Sequence, residues 1–404
     1  MTTSATLVVL FCVATAIAIA VRRLRIPYTV ALVVAGLGLG SLALVEPPRL
    51  THDLLFTFFL PGLLFEAAYH LDRKALIASW RSVLALTVPL VIAAMFLMAA
   101  VLVGAGKSLG LSQLVDWRVG IVFGAIMAAT DPVAVTAVFR DLEAPPRLAA
   151  LIEGESLLND GTGVVLFLLV VGYFTGARSG PVIVAGEFAL IAGGGIVTGL
   201  VVGYVIANVI QRLDEPMIEI ALTTIAAYGS FVLAESLHVS GVLGTVTAGV
   251  MCGWHGRDHG MSPESEKATE TFWQYVAFAL NSIVFLLLGF EFDPPRFLAL
   301  LPEILVAFVA TLIVRAGIVA VLMVGQRWSS ERMPASWGVV TVWGGLRGAL
   351  SMVLAFALPP EFPQRDLIVA LTGGVVVASI LVQGSTMPYL LRRLGLGESI
   401  AAEG

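Results

Sequence analysis

The sequence has few of the residues on which soluble and secreted proteins depend. Only 13% of its 404 residues are charged, and it contains two cysteines and five histidines, whereas 58% of the residues are hydrophobic. Cys12 and Cys252 each stand alone in apolar sequence, which excludes a disulfide framework and a cysteine-based metal site. The formal net charge of −5 gives no basic surface for nucleic acid. This composition is far from that of a soluble domain.

Sequence motifs of the common enzyme classes are also missing. No HExxH, no GxSxG and no haem or iron–sulfur cysteine spacing occurs. Gly104–Ser108 resembles the end of a phosphate-binding loop, but Val101 stands where the first glycine of that loop belongs. The sequence therefore predicts a protein that is not an enzyme and needs no cofactor.

Long apolar windows recur from one end of the sequence to the other. A hydrocarbon core about 30 Å thick needs about 20 apolar residues per helix. The windows predict an all-α polytopic membrane protein with about 13 transmembrane helices, embedded in the lipid bilayer. They lie near 4–21, 28–45, 53–70, 82–104, 119–139, 148–174, 181–210, 216–235, 239–254, 270–290, 298–325, 336–358 and 366–391.

Basic residues are concentrated in every second loop between these windows. The loops after odd-numbered windows carry fifteen Lys and Arg residues, and the loops after even-numbered windows carry six. Because short basic loops stay in the cytoplasm, this bias predicts an external N-terminus and a cytoplasmic C-terminus. We therefore expect a multi-pass protein of the cell membrane.

Two of the predicted helices are interrupted near their centres. Thr130-Asp131-Pro132 breaks the fifth, because proline removes a backbone donor and clashes with the preceding turn. Gly344–Gly348 breaks the twelfth. The breaks are seven helices apart, which predicts two six-helix repeats, the second inverted, joined by the seventh helix. In transporters of this plan the ion site lies where the two breaks meet.

Polar residues cluster in the sixth window, at Gly154–Gly161. In a helix Ser156 and Asp160 lie one turn apart on one face, and Glu155 and Asn159 share the adjacent face. A carboxylate within a bilayer is costly and by default marks an ion or proton path. Hard cations prefer hydroxyl and carboxylate oxygens of this kind. The segment therefore predicts a site for a monovalent cation.

The break in the fifth helix adds further oxygen atoms to this prediction. A backbone carbonyl at Thr130 loses its helical partner there, and Asp131 supplies a carboxylate. Capping of a half-helix is the alternative role for Asp131 and, with less support, for Asp160.

Two arginines lie within predicted helices. Arg315 cannot lose its charge and therefore needs a buried acid, for which Glu155 and Glu66 are the candidates. The sequence leaves open whether such a pair is structural or functional. Arg347 lies in the break of the twelfth helix, where its charge offsets half-helix C-terminal dipoles and nearby carboxylates.

Glycines at a spacing of four residues predict close helix packing. Gly195, Gly199 and Gly203 let another backbone approach one face of the seventh helix. Tight contacts within the chain are the first interpretation, and a dimer interface is the second.

Three further acids lie in apolar sequence close to predicted helix ends. A long side chain in such a position can reach the membrane surface. We expect interfacial placement for Glu187, Glu219 and Glu235.

These motifs resemble the monovalent cation/proton antiporters of the NhaP type, the prokaryotic relatives of eukaryotic sodium/proton exchangers. The resemblance rests on Gly154–Gly161, with its Asn-Asp pair, on Thr130-Asp131-Pro132 and on Gly344–Gly348. Phe59–Ala68 also looks like the third-helix signature of that family. The similarity covers nearly the whole chain.

The resemblance implies a homodimer in which a core with two crossed discontinuous helices moves against a dimerisation part. The core would comprise about residues 82–174 and 298–391, and the dimerisation part about 4–70 and 181–290. It also implies Na⁺ ligands and residues that support them. The implied ligands are Thr130, Asp131, Glu155, Ser156 and Asp160, and the supporting residues are Asn159, Arg315, Arg347 and Glu66.

The expected function is exchange of one Na⁺ for one H⁺ by alternating access, electroneutral and serving pH and sodium homeostasis. Li⁺ or K⁺ could replace Na⁺, and a K⁺/H⁺ antiporter of the same fold is the alternative. A channel would need a conducting filter or a charged ring. An intramembrane aspartyl protease would need a GxGD motif, which the sequence lacks.

Overall fold

A computed structural model of the chain consists of helices and short connections, with no β-strand among the residues that it describes. Those residues are 3–24, 28–41, 54–131, 135, 136, 138, 139, 142, 144–176, 181–256, 261–290, 294–326 and 332–396.

The helices are numbered in chain order. Each predicted apolar window contains at least one helix among the described residues, so the prediction of an all-α membrane protein is confirmed. The bounds are α1 (Thr3–Leu24), α2 (Tyr28–Ser41), α3 (Leu60–His70), α4 (Arg73–Ile77), α5 (Trp80–Thr87), α6 (Pro89–Leu109), α7 (Trp117–Ile126), α8 (Pro146–Phe174), α9 (Pro181–Ile210), α10 (Pro216–Ser236), α11 (Gly241–Met251), α12 (Pro263–Phe290), α13 (Pro294–Ala299), α14 (Leu301–Gly325), α15 (Ala335–Trp343), α16 (Ala349–Phe356), α17 (Arg365–Ala378) and α18 (Ser385–Arg393).

Wider helical turns extend three of these helices. Leu54–Phe59 leads into α3, Cys252–Gly256 continues α11, and Ser379–Gly384 joins α17 to α18. Such turns often lie at functional sites.

Seven helical segments among the described residues are long and apolar enough to cross a membrane, and three shorter apolar helices accompany them. The long segments are Trp80–Leu109, Pro146–Phe174, Ala185–Ile210, Pro216–Ser236, Pro263–Phe290, Leu301–Gly325 and Arg365–Arg393. The shorter ones are Val8–Val21, Tyr28–Gly40 and Trp117–Ile126.

The chain forms two compact units. The first unit contains Met1–Arg49, Lys74–Asn159 and Ser282–Gly404, and the second contains Leu50–Arg73 and Asp160–Asn281. Within the first unit, α6 packs against α7 and α14, and α14 also packs against α17.

Both predicted discontinuous helices lie in the first unit. The first half of one is α7, whose helix ends at Ile126, so that Ala129 to Asp131 leave the helical conformation. Pro132, which predicted this break, lies outside the described residues. The other is split into α15 and α16 by the non-helical stretch 344–348. The prediction of one break in each of these helices is confirmed.

The glycine row in α9 packs closely against α11 within the second unit. A methyl group at Gly195 or Gly199 would overlap the carbonyl oxygen of Ser240 or Gly244, at the start of α11. At Gly203 it would lie 2.9 Å from the Cα atom of Ala248. The glycines therefore serve contacts within the chain, the first of the two interpretations drawn from their spacing.

Candidate functional site

The two helix breaks are in direct contact. The backbone N–H of Asp131 donates a hydrogen bond to the carbonyl oxygen of Leu346 at 2.9 Å. Arg347 donates from Nη1 to the carbonyl oxygen of Ala129 at 2.8 Å. These bonds satisfy backbone groups that lose their helical partners at the breaks, which an apolar surrounding requires.

Glycine at position 348 makes room for the Asp131 carboxylate. A methyl group at Gly348 would overlap both the Cβ atom and a carboxylate oxygen of Asp131. Gly345 has the same relation to Arg315, because a methyl group there would lie 2.8 Å from Nε of the guanidinium. The glycines of this break therefore bring its backbone up against the charged groups.

Ser156 of α8 reaches the other break. Its hydroxyl donates to the carbonyl oxygen of Thr130, and both residues are buried. Asp160 follows Ser156 by one turn on the same continuous helix and is half-buried. Because residues four apart share a helix face, Asp160 and Ser156 present a carboxylate and a hydroxyl on one side of α8.

Arg315 of α14 is paired with Glu155, which selects one of the two candidates left open by the sequence. Nη1 and Nη2 of the guanidinium bind both carboxylate oxygens of Glu155, and the Nη2–Oε2 distance is 2.8 Å. Arg315 also donates from Nε and Nη2 to the carbonyl oxygen of Thr341 on α15, at 3.3 and 3.2 Å. With Glu155 1% exposed, the pair neutralises two buried charges through a bidentate contact.

Asn159 supports the same carboxylate. Its side-chain Nδ2 donates to Oε1 of Glu155 at 3.2 Å, one helical turn away. Both oxygens of Glu155 are therefore committed to neighbouring donors. A role for Glu155 as a direct cation ligand competes with these contacts.

Glu66 has a partner of its own in the second unit. Nδ1 of His70, one turn further along α3, lies 3.2 Å from Oε1 of Glu66 and 2.9 Å from its backbone oxygen. Arg315 is therefore matched by Glu155 and Glu66 by His70.

Two polar residues behind the twelfth-helix break were not identified from the sequence. Ser379 accepts a hydrogen bond from the backbone N–H of Arg347 at 3.1 Å, and Gln383 donates from Nε2 to the carbonyl oxygen of Trp343 at 2.8 Å. Both are buried. Their spacing in the sequence could have indicated them, since two polar residues four apart on an apolar stretch share one helix face.

A cavity of about 30 Å³ lies beside these charges in the first unit. Arg315, Arg347 and Asn159 supply its polar wall, and apolar side chains such as Leu86 and Met98 supply the rest. A volume above about 10–15 Å³ with polar partners can hold water. The cavity can therefore bring water to the guanidinium groups.

The chain matches the model of a transporter family along almost its entire length. The match, over residues 7–393, is to the family described as sodium/hydrogen exchanger, transmembrane. The chain belongs to the sodium/hydrogen exchanger family.

Among curated members of the exchanger family, the chain is 38% identical to the Na⁺/H⁺ antiporter ApNhaP of Aphanothece halophytica, over 92% of this chain and 70% of that protein. It is 36% identical to the Na⁺/H⁺ antiporter NhaP of Pseudomonas aeruginosa, over 86% of this chain and 82% of that protein.

The fold is that of a solved structure, the sodium proton antiporter MjNhaP1 of Methanocaldococcus jannaschii at pH 8. The TM-score is 0.79, with 21% identity over 98% of this chain and 99% of the other. The resemblance to NhaP-type antiporters drawn from the motifs is confirmed by the family match and by these similarities.

Proposed function

We propose that this multi-pass membrane protein is a secondary antiporter that exchanges one Na⁺ for one H⁺. The observation that carries the proposal is the meeting of the two helix breaks beside α8, where the Asp131 backbone bonds to Leu346 and the Ser156 hydroxyl to Thr130. Discontinuous helices that meet near the middle of a membrane are the usual setting of an ion site in secondary transporters.

The cation ligands are Thr130, Asp131, Ser156 and Asp160. The set contains a carbonyl, a hydroxyl and two carboxylates, which are oxygen donors suited to a hard cation. Glu155 stands beside them but is neutralised by Arg315. We propose the carboxylates of Asp131 and Asp160 as the acidic ligands of the transported ion.

Exchange follows from competition for one carboxylate. A proton and a sodium ion each neutralise one negative charge. The site therefore changes sides of the membrane only when Asp160 has bound one of the two ions. The empty, charged site is costly in that environment, which suppresses uncoupled movement. Alternating access by movement of the core would then couple the inward flux of one ion to the outward flux of the other.

The arrangement of the protein in the cell forms part of the same proposal. We place it in the cell membrane with an external N-terminus and a cytoplasmic C-terminus, on the bias of basic loops. The proposed role is pH and sodium homeostasis, because exchange of Na⁺ for H⁺ changes the cellular content of both ions.

We also propose a homodimer that forms through α9. Only 22% of the most apolar stretch of this span is buried within one copy, and apolar side chains such as Leu190 and Val197 are exposed. Chemical cross-linking through single cysteines on this face, in membranes, tests that arrangement.

Ion flux in proteoliposomes tests the transport proposal. Purified protein is reconstituted in vesicles with an acidic lumen, and the pH gradient is followed with a fluorescent amine during addition of Na⁺, Li⁺, K⁺ or choline⁺. We expect Na⁺ to dissipate the gradient in a saturable way and choline⁺ to have no effect. Dissipation by K⁺ and not by Na⁺ would assign the K⁺/H⁺ alternative. Conductance of an ion without countertransport would contradict antiport.

A further inference from the structure

A second group of buried polar residues lies in the second unit, between α10 and α12. Glu219 and Thr223 stand one turn apart on α10, and Ser265 and Thr269 stand one turn apart on α12. The exposed fraction of each of the four residues is 0%. The side chain of Glu219 is therefore buried against the protein, because the first turns of α12, which the sequence could not locate, cover the start of α10.

The two rows of side chains face each other. Trp273 follows Thr269 by one turn, and its Nε1 donates to the hydroxyl of Thr223 at 3.1 Å. The Trp273 ring belongs to an apolar cluster that also contains Ala226 and Ala227 of α10. Residues four apart share a helix face. The contact of Trp273 with Thr223 therefore shows that Ser265 and Thr269 lie on the face of α12 that is turned towards α10. The polar layer lies directly beyond the apolar cluster, towards the start of both helices.

The Thr223 hydroxyl also donates to the carbonyl oxygen of Ile220 at 2.9 Å, whereas the oxygens of the other three residues have no such partner. Neither carboxylate oxygen of Glu219 accepts a hydrogen bond, and the hydroxyls of Ser265 and Thr269 neither donate nor accept one. The Ser265 hydroxyl and the backbone of Glu215 lie close to the Glu219 carboxylate, but neither has the geometry of a hydrogen bond to it. Hydroxyls within helices commonly donate to the carbonyl of the preceding turn. Ser265 and Thr269 do not make this contact.

The charged group near Glu219 does not neutralise its carboxylate. Asp214, the neighbouring charged group that acts on Glu219, is another acid. A buried carboxylate without a hydrogen bond or an ion partner is strongly unfavourable. Either a proton or a cation must therefore neutralise it.

We propose that Glu219, Thr223, Ser265 and Thr269 form a binding site for one dehydrated alkali cation. A proton on Glu219 is the alternative, in which the neutral carboxyl exchanges hydrogen bonds with the facing hydroxyls, and the test below distinguishes the two. A small hard cation uses all of these oxygens as ligands. One carboxylate balances one positive charge, so the site suits a monovalent ion, whereas calcium sites bring several carboxylates together.

The site shares no residue with the transport proposal and does not depend on it. Its ion joins the start of α10 to the start of α12, so binding stabilises the second unit. The effect is a dependence of thermal stability on alkali cations that persists when transport is abolished.

The test is the thermal unfolding of purified protein in detergent, in NaCl, KCl or choline chloride at constant ionic strength. Asp160→Asn serves as the background, which removes the contribution of the transport ligand. We expect the Tm of this variant to rise by a few degrees between choline and Na⁺ or K⁺. Addition of Glu219→Gln should abolish the rise.

Two further variants make the test specific. Glu215→Gln removes an exposed acid one turn before Glu219, and it should retain the full cation-dependent rise. Thr269→Val keeps the shape and the carboxylate but removes one oxygen ligand. It should increase the cation concentration at half-effect about tenfold, which provides a readout if the Glu219 variant does not fold.

Three results would overturn the site. The first is an Asp160→Asn protein whose Tm is the same in choline and in alkali cations. The second is a cation-dependent rise that survives both Glu219→Gln and Thr269→Val. The third is a stability that follows pH but not alkali cations, which would assign Glu219 as a neutral acid. None of these results bears on exchange, which is measured separately in vesicles.

Discussion

The backbone N–H of Asp131 donates to the carbonyl oxygen of Leu346 across 2.9 Å, and this bond joins the two discontinuous helices of the protein. Each break exposes backbone groups that the bilayer cannot satisfy. The hydrogen bond satisfies two of these backbone groups. It also holds the Asp131 side chain against Gly348. The same contact therefore packs the two breaks together and positions Asp131, a candidate ligand.

Gly348→Ala should impair transport through this contact. The added methyl group would overlap the Asp131 carboxylate, so the side chain or the break must move. We expect a loss of at least about tenfold in apparent sodium affinity, since removal of one well-placed polar contact costs about 1–3 kcal/mol. Gly373→Ala is the matched control, because the nearest atoms to its methyl group lie 3.6 Å away on Met352. Equal transport by the two variants would argue against a role for Asp131.

Ser156→Ala should weaken sodium binding without loss of the fold. The variant removes the hydroxyl that donates to the Thr130 carbonyl, and one oxygen ligand disappears from the proposed set. The concentration of Na⁺ at half-maximal flux should rise roughly tenfold while the maximal rate changes little. Ser351→Ala removes a hydroxyl that donates at 3.3 Å to Ile126 in the same unit, and it should leave that concentration unaltered. An unchanged value in Ser156→Ala would remove Ser156 from the ligand set.

Several features of this site were accessible from the sequence. Both helix breaks were predicted because proline and clustered glycine act on the local backbone whatever surrounds them. The partner of Arg315 was not predictable, because the choice of Glu155 depends on how α14 packs against α8. The burial of Glu219 was missed for the same kind of reason. Local composition suggested a helix end near the membrane surface, and a distant segment of the chain covers it.

Arg315→Ala should destabilise the protein. Removal of the guanidinium leaves Glu155 buried without its cationic partner, and breaking a buried pair from one side costs about 3–5 kcal/mol. We expect a lower Tm and a lower yield. Arg315→Lys should recover part of the loss, although one ammonium cannot reproduce the bidentate contact.

The double variant Arg315→Ala with Glu155→Gln distinguishes a structural pair from an electrostatic one. It removes the orphaned charge, so its Tm should exceed that of Arg315→Ala alone. If Arg315→Ala is instead as stable as the parent and shifts only the sodium affinity, then the arginine tunes the site and does not hold the fold.

Exchange should not respond to the membrane potential. Asn159 cannot ionise and Glu155 is paired with Arg315, so one cation replaces one proton at Asp160 and no net charge crosses. Vesicles clamped at different potentials with K⁺ and valinomycin should give equal initial rates of Na⁺/H⁺ exchange. A rate that changes several-fold with voltage would show that a second proton is carried, with Asp131 as the first residue to examine.

Replacement of the Asp160 carboxylate tests the central claim most directly. Asp160→Asn keeps the shape of the side chain but can carry neither a proton nor the charge that attracts a cation. The measurement is Na⁺-driven dissipation of a pH gradient in proteoliposomes, with Asp366→Asn, at an exposed acid of α17, as the control. We expect Asp160→Asn to fold with an unchanged elution volume and to show no exchange, while the control exchanges like the parent. Substantial exchange by Asp160→Asn would contradict the account.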